Sequence, residues 1–325
     1  MMRVLFFIFM FSFFSCKTLP KFIPVQSHKS SHITSNGIER SFRYLLPPNY
    51  KTNTLPLIFV LHGGGGNSEA MIYLTRLSER VDQDRFIVVY PEGFANRWND
   101  GRGIKHSITD QKNTEDVLFF RDMVAYFKKN YMIDESRIHV VGLSNGGFMA
   151  QRLACEAPDI FASSFSVAAT TSKFIFQNCS LNGPLSMGFI FGKKDDIVPY
   201  NGGTIYIPKN PLNDKDRIGA GESISFQDSL KFWSEKLQCT SENKRYIQGL
   251  KQKINKDIVR YDFESANPSL KLRAFLLENG GHIWPHGFFY HNDKKYGYLS
   301  EDLDASSAVL DFFKETPKTN YLGGN

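Results

Sequence analysis

The sequence predicts an α/β fold with a mainly parallel, doubly wound sheet that carries helices on both faces. Short, continuous apolar runs recur along the chain, and such runs are typical of parallel strands buried on both faces. Segments with helical periodicity lie between these runs, which indicates crossover connections of right-handed sense. With 325 residues and 42% hydrophobic content, the chain can bury a full core.

The apolar runs predict seven strands, at residues 41–46, 57–61, 86–90, 138–141, 164–168, 187–191 and 272–277, and a further strand at 258–263. The periodic segments predict helices at residues 68–82, 115–131, 147–157, 225–237 and 303–313. Residues 200–221 are rich in Gly, Pro and Asn and too long for a simple connector, so we expect an excursion over the rim of the sheet. No linker divides the chain, which predicts one domain over residues 37–318 and a short tail at 319–325.

The first fifteen residues predict an export signal. Arg3 precedes an apolar run that is too short to span a bilayer, as expected for a signal peptide at residues 1–15. Ser15 before Cys16 resembles a bacterial lipobox, although Phe13 stands where Leu is usual. On this interpretation Cys16 is lipidated, residues 16–36 form a polar tether, and the protein is anchored to the cell envelope, at the outer membrane or the periplasmic face. Ordinary signal cleavage and free secretion is the alternative.

Charge and cysteine content exclude some classes of function. The net charge is +6, but basic and acidic residues are interleaved, and the densest basic patch, at Lys251, Lys253 and Lys256, belongs to no nucleic-acid motif. We therefore predict no nucleic-acid binding.

Apart from Cys16, the cysteines are Cys155, Cys179 and Cys239, an odd number. One disulfide with one free thiol is an option, and so is a buried reduced Cys155. No spacing predicts a metal site.

Residues 137–147 have the pattern of a nucleophile elbow. A β-branched run leads into Gly142-Leu-Ser144-Asn-Gly146, and a helix-compatible stretch follows. A serine on such a sharp strand-to-helix turn needs glycine-sized neighbours two residues away on either side, and Gly142 and Gly146 occupy those positions. The pattern predicts Ser144 as a nucleophile at the positive end of a helix.

A serine nucleophile needs a base, an acid that orients the base, and donors for the oxyanion. The chain order Ser, Asp, His predicts the base as His282, after the strand at 272–277, and the acid as Asp195 or Asp196, after the strand at 187–191. The glycine run after the strand at 57–61 predicts an oxyanion loop, with the amide of Gly64 as donor and Gly65 as second choice. The second donor is the amide of Asn145, the residue after the nucleophile.

These motifs resemble those of extracellular esterases of the poly(3-hydroxybutyrate) depolymerase and feruloyl esterase type, a branch of the α/β-hydrolase superfamily. The resemblance covers most of the chain after the leader. Its main motifs are Leu61-His62-Gly63-Gly64, Tyr90-Pro91-Glu92-Gly93, Trp98-Asn99, Gly142 to Gly147, Gly192 with Asp195 and Val198-Pro199-Tyr200, and Gly281-His282 with Trp284-Pro285. It implies the α/β-hydrolase fold for the domain at 37–318, and it makes Asp195 the triad acid, because Asp196 stands where the family often has Pro.

The sequence thus predicts a serine carboxylic-ester hydrolase that acts through an acyl-enzyme on short-chain, hydroxyalkanoate or feruloyl and acetyl esters. No metal and no organic cofactor is implied. The expected partner is a small-molecule or oligomeric ester, with membrane contact only through the N-terminal lipid. Trp98, Trp284 and the aromatic residues of the loop at 288–296 are candidate substrate contacts. The rival hypothesis is a catalytically silent surface lipoprotein that uses the fold for binding. The sequence leaves the oligomeric state open.

Overall fold

The computed structural model describes residues 23–210, 213–250, 257–287 and 302–318. The strands are β1 Lys29–Ser35, β2 Ile38–Leu45, β3 Leu55–Leu61, β4 Ile87–Pro91, β5 Ile133–Leu143, β6 Ser163–Val167, β7 Ser186–Gly192, β8 Gly203–Asn210, β9 Asn213–Ser223, β10 Cys239–Tyr246, β11 Ile258–Ser265 and β12 Lys271–Leu277. The α-helices are α1 Ser68–Thr75, α2 Val81–Asp84, α3 Ile108–Gln111, α4 Asp116–Asn130, α5 Asn145–Glu156, α6 Lys173–Asn178, α7 Phe226–Lys236 and α8 Ala305–Glu315.

Ten strands form one sheet in the order β1-β2-β4-β3-β5-β6-β7-β12-β11-β10. The six central strands, from β4 to β12, are parallel, and the two strands at each edge are antiparallel. This arrangement confirms the predicted mainly parallel sheet. Because these six strands are parallel, the carboxyl ends of β3, β5, β7 and β12 lie on the same side of the sheet. In sheets of this kind the functional residues follow the carboxyl ends of the strands.

Successive residues of the central strands pack into two separate cores, one on each face of the sheet. Phe59 of β3 packs in the core that includes residues of α4, α5 and α7, such as Trp233. Its neighbour Val60 packs in the core that includes residues of α1 and α8, such as Phe312. Because adjacent side chains of a strand point to opposite faces, a continuous apolar run fills both cores at once. The predicted helices on both faces are therefore confirmed.

The structure corrects the predicted tether at residues 16–36. Residues 29–35 form β1, which pairs with β2 along its whole length through a two-residue turn. Asn36 and Gly37 of that turn both have positive φ, at 46° and 74°, a geometry that favours an Asn-Gly pair. Just before β1, the buried His28 bonds through Nε2 to the Ser78 hydroxyl at 2.7 Å. The chain is thus fixed to the domain from at least His28.

Three other elements differ from the predictions. The segment at 200–221 forms the antiparallel hairpin of β8 and β9, separate from the main sheet. The helix predicted at 68–82 divides because Arg76 has a φ of 52°, which ends α1. The edge strand β10 was not predicted, because its residues are mostly exposed and polar and form no apolar run.

A disulfide joins Cys155 and Cys179, and Cys239 is a half-buried thiol.

Several predictions lie outside the described residues: the signal peptide at 1–15, lipidation of Cys16, the tail at 319–325, the lysines of 251–256 and the aromatic loop at 288–296. Within the described ranges, no helix combines the length and apolar character needed to cross a bilayer.

Candidate active site

The elbow between β5 and α5 holds Ser144 in a strained backbone conformation, with φ 55° and ψ −118°. A Cβ atom added to Gly142 would lie 2.1 Å from the carbonyl oxygen of Gly146, and one added to Gly146 would lie 2.6 Å from the carbonyl oxygen of His62. Any larger residue at either position would therefore displace backbone. These close approaches explain why glycine flanks the serine on both sides.

Ser144, His282 and Asp195 are joined by an unbroken chain of hydrogen bonds. The Oγ of Ser144 lies 2.9 Å from Nε2 of His282, and Nδ1 of His282 lies 2.7 Å from Oδ2 of Asp195. The other carboxylate oxygen of Asp195 accepts from the backbone N–H groups of Ile197 and Val198, at 2.9 and 2.8 Å. The sheet thus brings together three residues that the sequence predicted separately.

The neighbouring carboxylate, Asp196, has a different partner. It pairs with the guanidinium of Arg217 on β9 at 3.1 Å, and its side chain is 40% exposed. Asp195, in contrast, has a completely covered side chain and contacts the imidazole. The geometry therefore places Asp195, and not Asp196, in the position of the triad acid.

The pKa of His282 is raised above its ordinary value of 6.5. Burial of the ring is the largest single influence and lowers the pKa, but the charge and hydrogen bond of Asp195 and the charge of Asp196 together outweigh it. The charge of Arg102 acts in the opposite direction. The environment therefore stabilises an imidazolium, which is the state that a base reaches after accepting the serine proton.

The glycine loop after β3 lies against the elbow. A Cβ atom added to Gly63 would lie 3.5 Å from the Cβ of Ser144. The amide of Gly65 donates to the carbonyl of Asn96 at 2.8 Å, so the second-choice donor is already occupied. Among the described residues, the backbone amides of Gly64 and Asn145 donate to no protein group. Both amides therefore have donor capacity left for an oxyanion.

His62 holds this loop in place, a role that the sequence did not predict. Its Nε2 accepts a hydrogen bond from the amide of Gly93 at 2.9 Å, so its Nδ1 carries the proton and donates to the carbonyl of Gly63 at 2.8 Å. The pKa of His62 is lowered, mainly because the ring is buried. A neutral imidazole with a fixed tautomer therefore links the glycine loop to the loop after β4.

The side chain of Asn145 also has an unpredicted role. Its Oδ1 accepts from the amide of Trp98 at 2.9 Å, and its Nδ2 donates to the Trp98 carbonyl at 3.0 Å and to Oδ2 of Asp100 at 2.6 Å. These bonds cross 45 to 47 residues of sequence and fix the residue after the nucleophile. A pairing at that separation leaves no local sequence signal.

The predicted substrate contacts at Trp98 and Trp284 are wrong for the observed conformation. Trp98 is 0% exposed and donates from Nε1 to the carbonyl of His62 at 2.9 Å. Trp284 is 2% exposed, packs in the core that includes α8, and donates to the Ser306 hydroxyl at 3.1 Å. Both rings support the loops that carry the site, because burying an indole next to a hydrogen-bond acceptor satisfies its apolar and polar parts together.

Among the residues described, no group of three or more His, Cys, Asp or Glu side chains could hold a metal ion.

Comparison with known proteins agrees with this geometry. The model of the family described as "Putative esterase" matches residues 33–255, which is more than half of the chain. The chain is 24% identical over 309 residues to the "Putative esterase NocK" of Nocardia uniformis subsp. tsuyamanensis, covering 92% of this chain and 88% of that protein. It is 22% identical over 232 residues to the "Feruloyl esterase B" of Piromyces equi, but spans only 39% of that longer protein.

The fold has a solved counterpart. The acetyl xylan esterase from Aspergillus awamori superposes with a TM-score of 0.55, covering 89% of this chain and all of that one, at 12% sequence identity. That likeness supports the α/β-hydrolase fold alone. The family match, the similar esterases and the arrangement of Ser144, His282 and Asp195 together lead to the conclusion that the chain belongs to the "Putative esterase" family and is a carboxylic ester hydrolase.

Proposed function

We propose that the protein hydrolyses esters through an acyl-enzyme formed on Ser144. The observation that carries this proposal is the continuous hydrogen-bond chain from Ser144 through His282 to Asp195. His282 takes the hydroxyl proton as Oγ attacks the ester carbonyl, and it then protonates the departing alcohol. Water repeats the sequence to release the acid. Asp195 holds the imidazole tautomer throughout.

The amides of Gly64 and Asn145 are the proposed oxyanion donors. Both have donor capacity left, and both are held by neighbouring contacts, the first through the His62 bond to Gly63 and the second through the Asn145 side chain. Preorganised donors of this kind stabilise the charge that develops on the carbonyl oxygen in the transition state. Loss of one such donor typically costs a factor of about 100 to 1,000 in kcat.

For the substrate, we propose short-chain esters, hydroxyalkanoate esters, or esters of the feruloyl and acetyl type. The names of similar proteins support the feruloyl and acetyl classes, because they include feruloyl esterases and a bifunctional acetylxylan esterase/xylanase. Hydroxyalkanoates rest on the resemblance of the sequence motifs.

We also propose that the protein is exported and that Cys16 carries a lipid anchor. The disulfide between Cys155 and Cys179 supports export, because disulfides form and persist in oxidising compartments. Metabolic labelling with a fatty acid tests the anchor. Label in the wild-type protein that is absent from Cys16→Ser would support lipidation, whereas unlabelled but processed wild-type protein would indicate free secretion.

A small ester panel tests the activity itself. The panel contains p-nitrophenyl acetate to octanoate, methyl ferulate and a hydroxybutyrate oligomer, and each is assayed with wild type and with Ser144→Ala. Turnover that depends on the serine supports the mechanism, and the profile over the panel identifies the substrate class. Equal background rates, with no fluorophosphonate labelling of the folded wild type, would contradict the proposal and favour a binding protein.

A further inference from the structure

Arg97 lies between the two loops that form the candidate site. It follows the short turn Phe94–Asn96, which is joined to the glycine loop by hydrogen bonds from the Gly65 amide to the Asn96 carbonyl, at 2.8 Å, and from Nδ2 of Asn96 to the Gly66 carbonyl, at 2.9 Å. The next residue, Trp98, is held at its amide and carbonyl by Asn145. The backbone of Arg97 is therefore fixed from both sides.

The guanidinium of Arg97 lies beside the proposed oxyanion donor. A Cβ atom added to Gly64 would lie 3.1 Å from Nη1 of Arg97, and one added to Gly63 would lie 3.5 Å from the Cβ of Ser144. Because successive Cα atoms are about 3.8 Å apart and each Cα–Cβ bond is about 1.5 Å long, these contacts place Nη1 of Arg97 no more than about 13.5 Å from the Cβ of Ser144. That distance is within reach of a substrate bound at the serine.

Two arginines in this region differ in how their charge is matched. Arg102 forms a bidentate pair with Asp100, from Nε to Oδ1 at 3.0 Å and from Nη2 to Oδ2 at 2.7 Å, and lies over the ring of Phe148. Arg97 has no ion pair and no hydrogen-bond acceptor for its guanidinium among the residues that the structure describes. Its side chain is nevertheless partly covered.

The surroundings of Arg97 disfavour an unmatched cation. Burial is the main cause that lowers its pKa, and the charge of Arg102 lowers it further, while Asp100 and Asp110 oppose this effect. A guanidinium has five N–H donors in a planar fork that matches a carboxylate. A carboxylate bound to the guanidinium would accept hydrogen bonds from these N–H donors and would neutralise the positive charge.

We propose that Arg97 is a specificity-determining residue that binds a carboxylate of the substrate, so that the enzyme prefers esters that carry a free carboxylate group. This inference rests on the proposed esterase function. The carboxylate belongs either to the acyl part, as in a half-ester of a dicarboxylic acid, or to the alcohol part, as in the ester of a hydroxy acid. A neutral ester would leave the cation as it is, partly desolvated and without an acceptor.

Matched pairs of esters test this proposal. On the acyl side, the mono-p-nitrophenyl esters of succinic, glutaric and adipic acid are compared with p-nitrophenyl butyrate. On the alcohol side, 4-acetoxybenzoate is compared with phenyl acetate. Each pair is assayed with wild type, Arg97→Gln, Arg97→Lys and the matched control Lys105→Gln, which removes an exposed cation eight residues further along the chain.

We expect Arg97→Gln to lower kcat/KM for the anionic member of at least one pair by about 10- to 100-fold, which is the range for a charge-assisted hydrogen bond. The change should be mainly in KM, and the neutral member should change less than about threefold. Arg97→Lys should recover part of the effect, because it keeps the charge but not the fork. Lys105→Gln should behave as wild type. The pair that responds identifies the part of the substrate that bears the carboxylate.

An equal loss on neutral and anionic esters would overturn the proposal and indicate that Arg97 acts on the oxyanion or on the loop. An Arg97-independent preference, or no preference for anionic esters at any length, would overturn it as well. In each of these cases the neutral esters still turn over, so the proposed function stands. Failure of that function would appear differently, as absence of serine-dependent turnover on every ester.

Discussion

Asp195→Asn is the substitution that tests the site most directly, because it changes charge and hydrogen-bonding character without changing shape. In the wild-type protein, Oδ2 of Asp195 accepts from Nδ1 of His282, and Oδ1 accepts from the amides of Ile197 and Val198. In the variant, those two amides still need an acceptor, so the asparagine oxygen faces them and its NH2 group faces His282. The imidazole must then carry its proton on Nε2, where it cannot accept the proton of Ser144.

The expected loss of kcat follows from the energy of the alternative orientation of the asparagine side-chain amide. If the asparagine amide rotates to restore the correct tautomer, its NH2 group faces two backbone N–H donors, and each lost acceptor costs about 1 to 3 kcal/mol when buried. The productive arrangement is therefore disfavoured by about 2 to 6 kcal/mol. The imidazolium also loses the carboxylate charge that raises the pKa of His282. We expect kcat to fall by about 10⁴, equivalent to about 5.5 kcal/mol in the barrier.

The assay is steady-state hydrolysis of p-nitrophenyl acetate as a function of pH, with thermal unfolding to show that each variant is folded. Asp196→Asn is the matched control, because Asp196 contacts Arg217 and not the imidazole. Its kcat should stay within about threefold of wild type. Since the charge of Asp196 helps to raise the pKa of His282, and activity needs the neutral base, the acid limb of the control's profile should move to lower pH.

Two results would contradict the role of Asp195: Asp195→Asn keeps more than about one tenth of the wild-type kcat, or Asp196→Asn loses as much activity as Asp195→Asn. The first result would mean that the imidazole tautomer does not depend on this carboxylate. The second would mean that the neighbouring carboxylate is the acid.

Three further predictions concern other parts of the structure. Asn145→Asp places a second carboxylate 2.6 Å from Asp100, so we expect a loss of at least tenfold in kcat, measured by ester hydrolysis, while Asn145→Ala loses the Trp98 contacts without the repulsion. Replacing Cys155 and Cys179 together by alanine should lower the free energy of unfolding by about 3 kcal/mol, measured with urea, because the disulfide closes a loop with a sequence separation of 24. Burial lowers the pKa of His139 from 6.5 to about 3, so the unfolded chain binds a proton that the folded chain does not, and stability should fall by up to about 1.4 kcal/mol per pH unit below 6.5. His139→Phe, which keeps a ring against Phe313, should show a shallower fall in urea titrations at about pH 7 and 5.

Each of these has an outcome that contradicts it. Full activity in Asn145→Asp would show that the Asn145 side chain does not position its own amide. An unchanged urea midpoint in the double alanine variant would show that the disulfide adds no stability to this fold. Parallel pH dependence in wild type and His139→Phe would show that other groups cause the acid sensitivity.

The sequence determined the parts of the protein that depend on local backbone constraints. The elbow was predictable because the strained turn at Ser144 tolerates only glycine at positions 142 and 146. The continuous apolar runs indicated the parallel sheet, since each strand fills two cores. The candidate serine, acid and base each follow a predicted strand, in the order Ser144, Asp195, His282. The resemblance to the family favoured Asp195 over Asp196 as the acid.

Tertiary structure alone decided which side chains support the site. Contacts between segments that lie far apart in sequence bury Trp98, join the Asn145 side chain to the Trp98 backbone, and leave the guanidinium of Arg97 without an ion pair in the described part of the chain. The pairing of β1 with β2 has a local signal in the Asn36–Gly37 turn, but its polar residues gave no apolar pattern to predict the strand. The physical reason is the same in each case: glycine and hydrophobic periodicity act within a few residues, whereas burial and hydrogen-bond partners are set only when the sheet assembles.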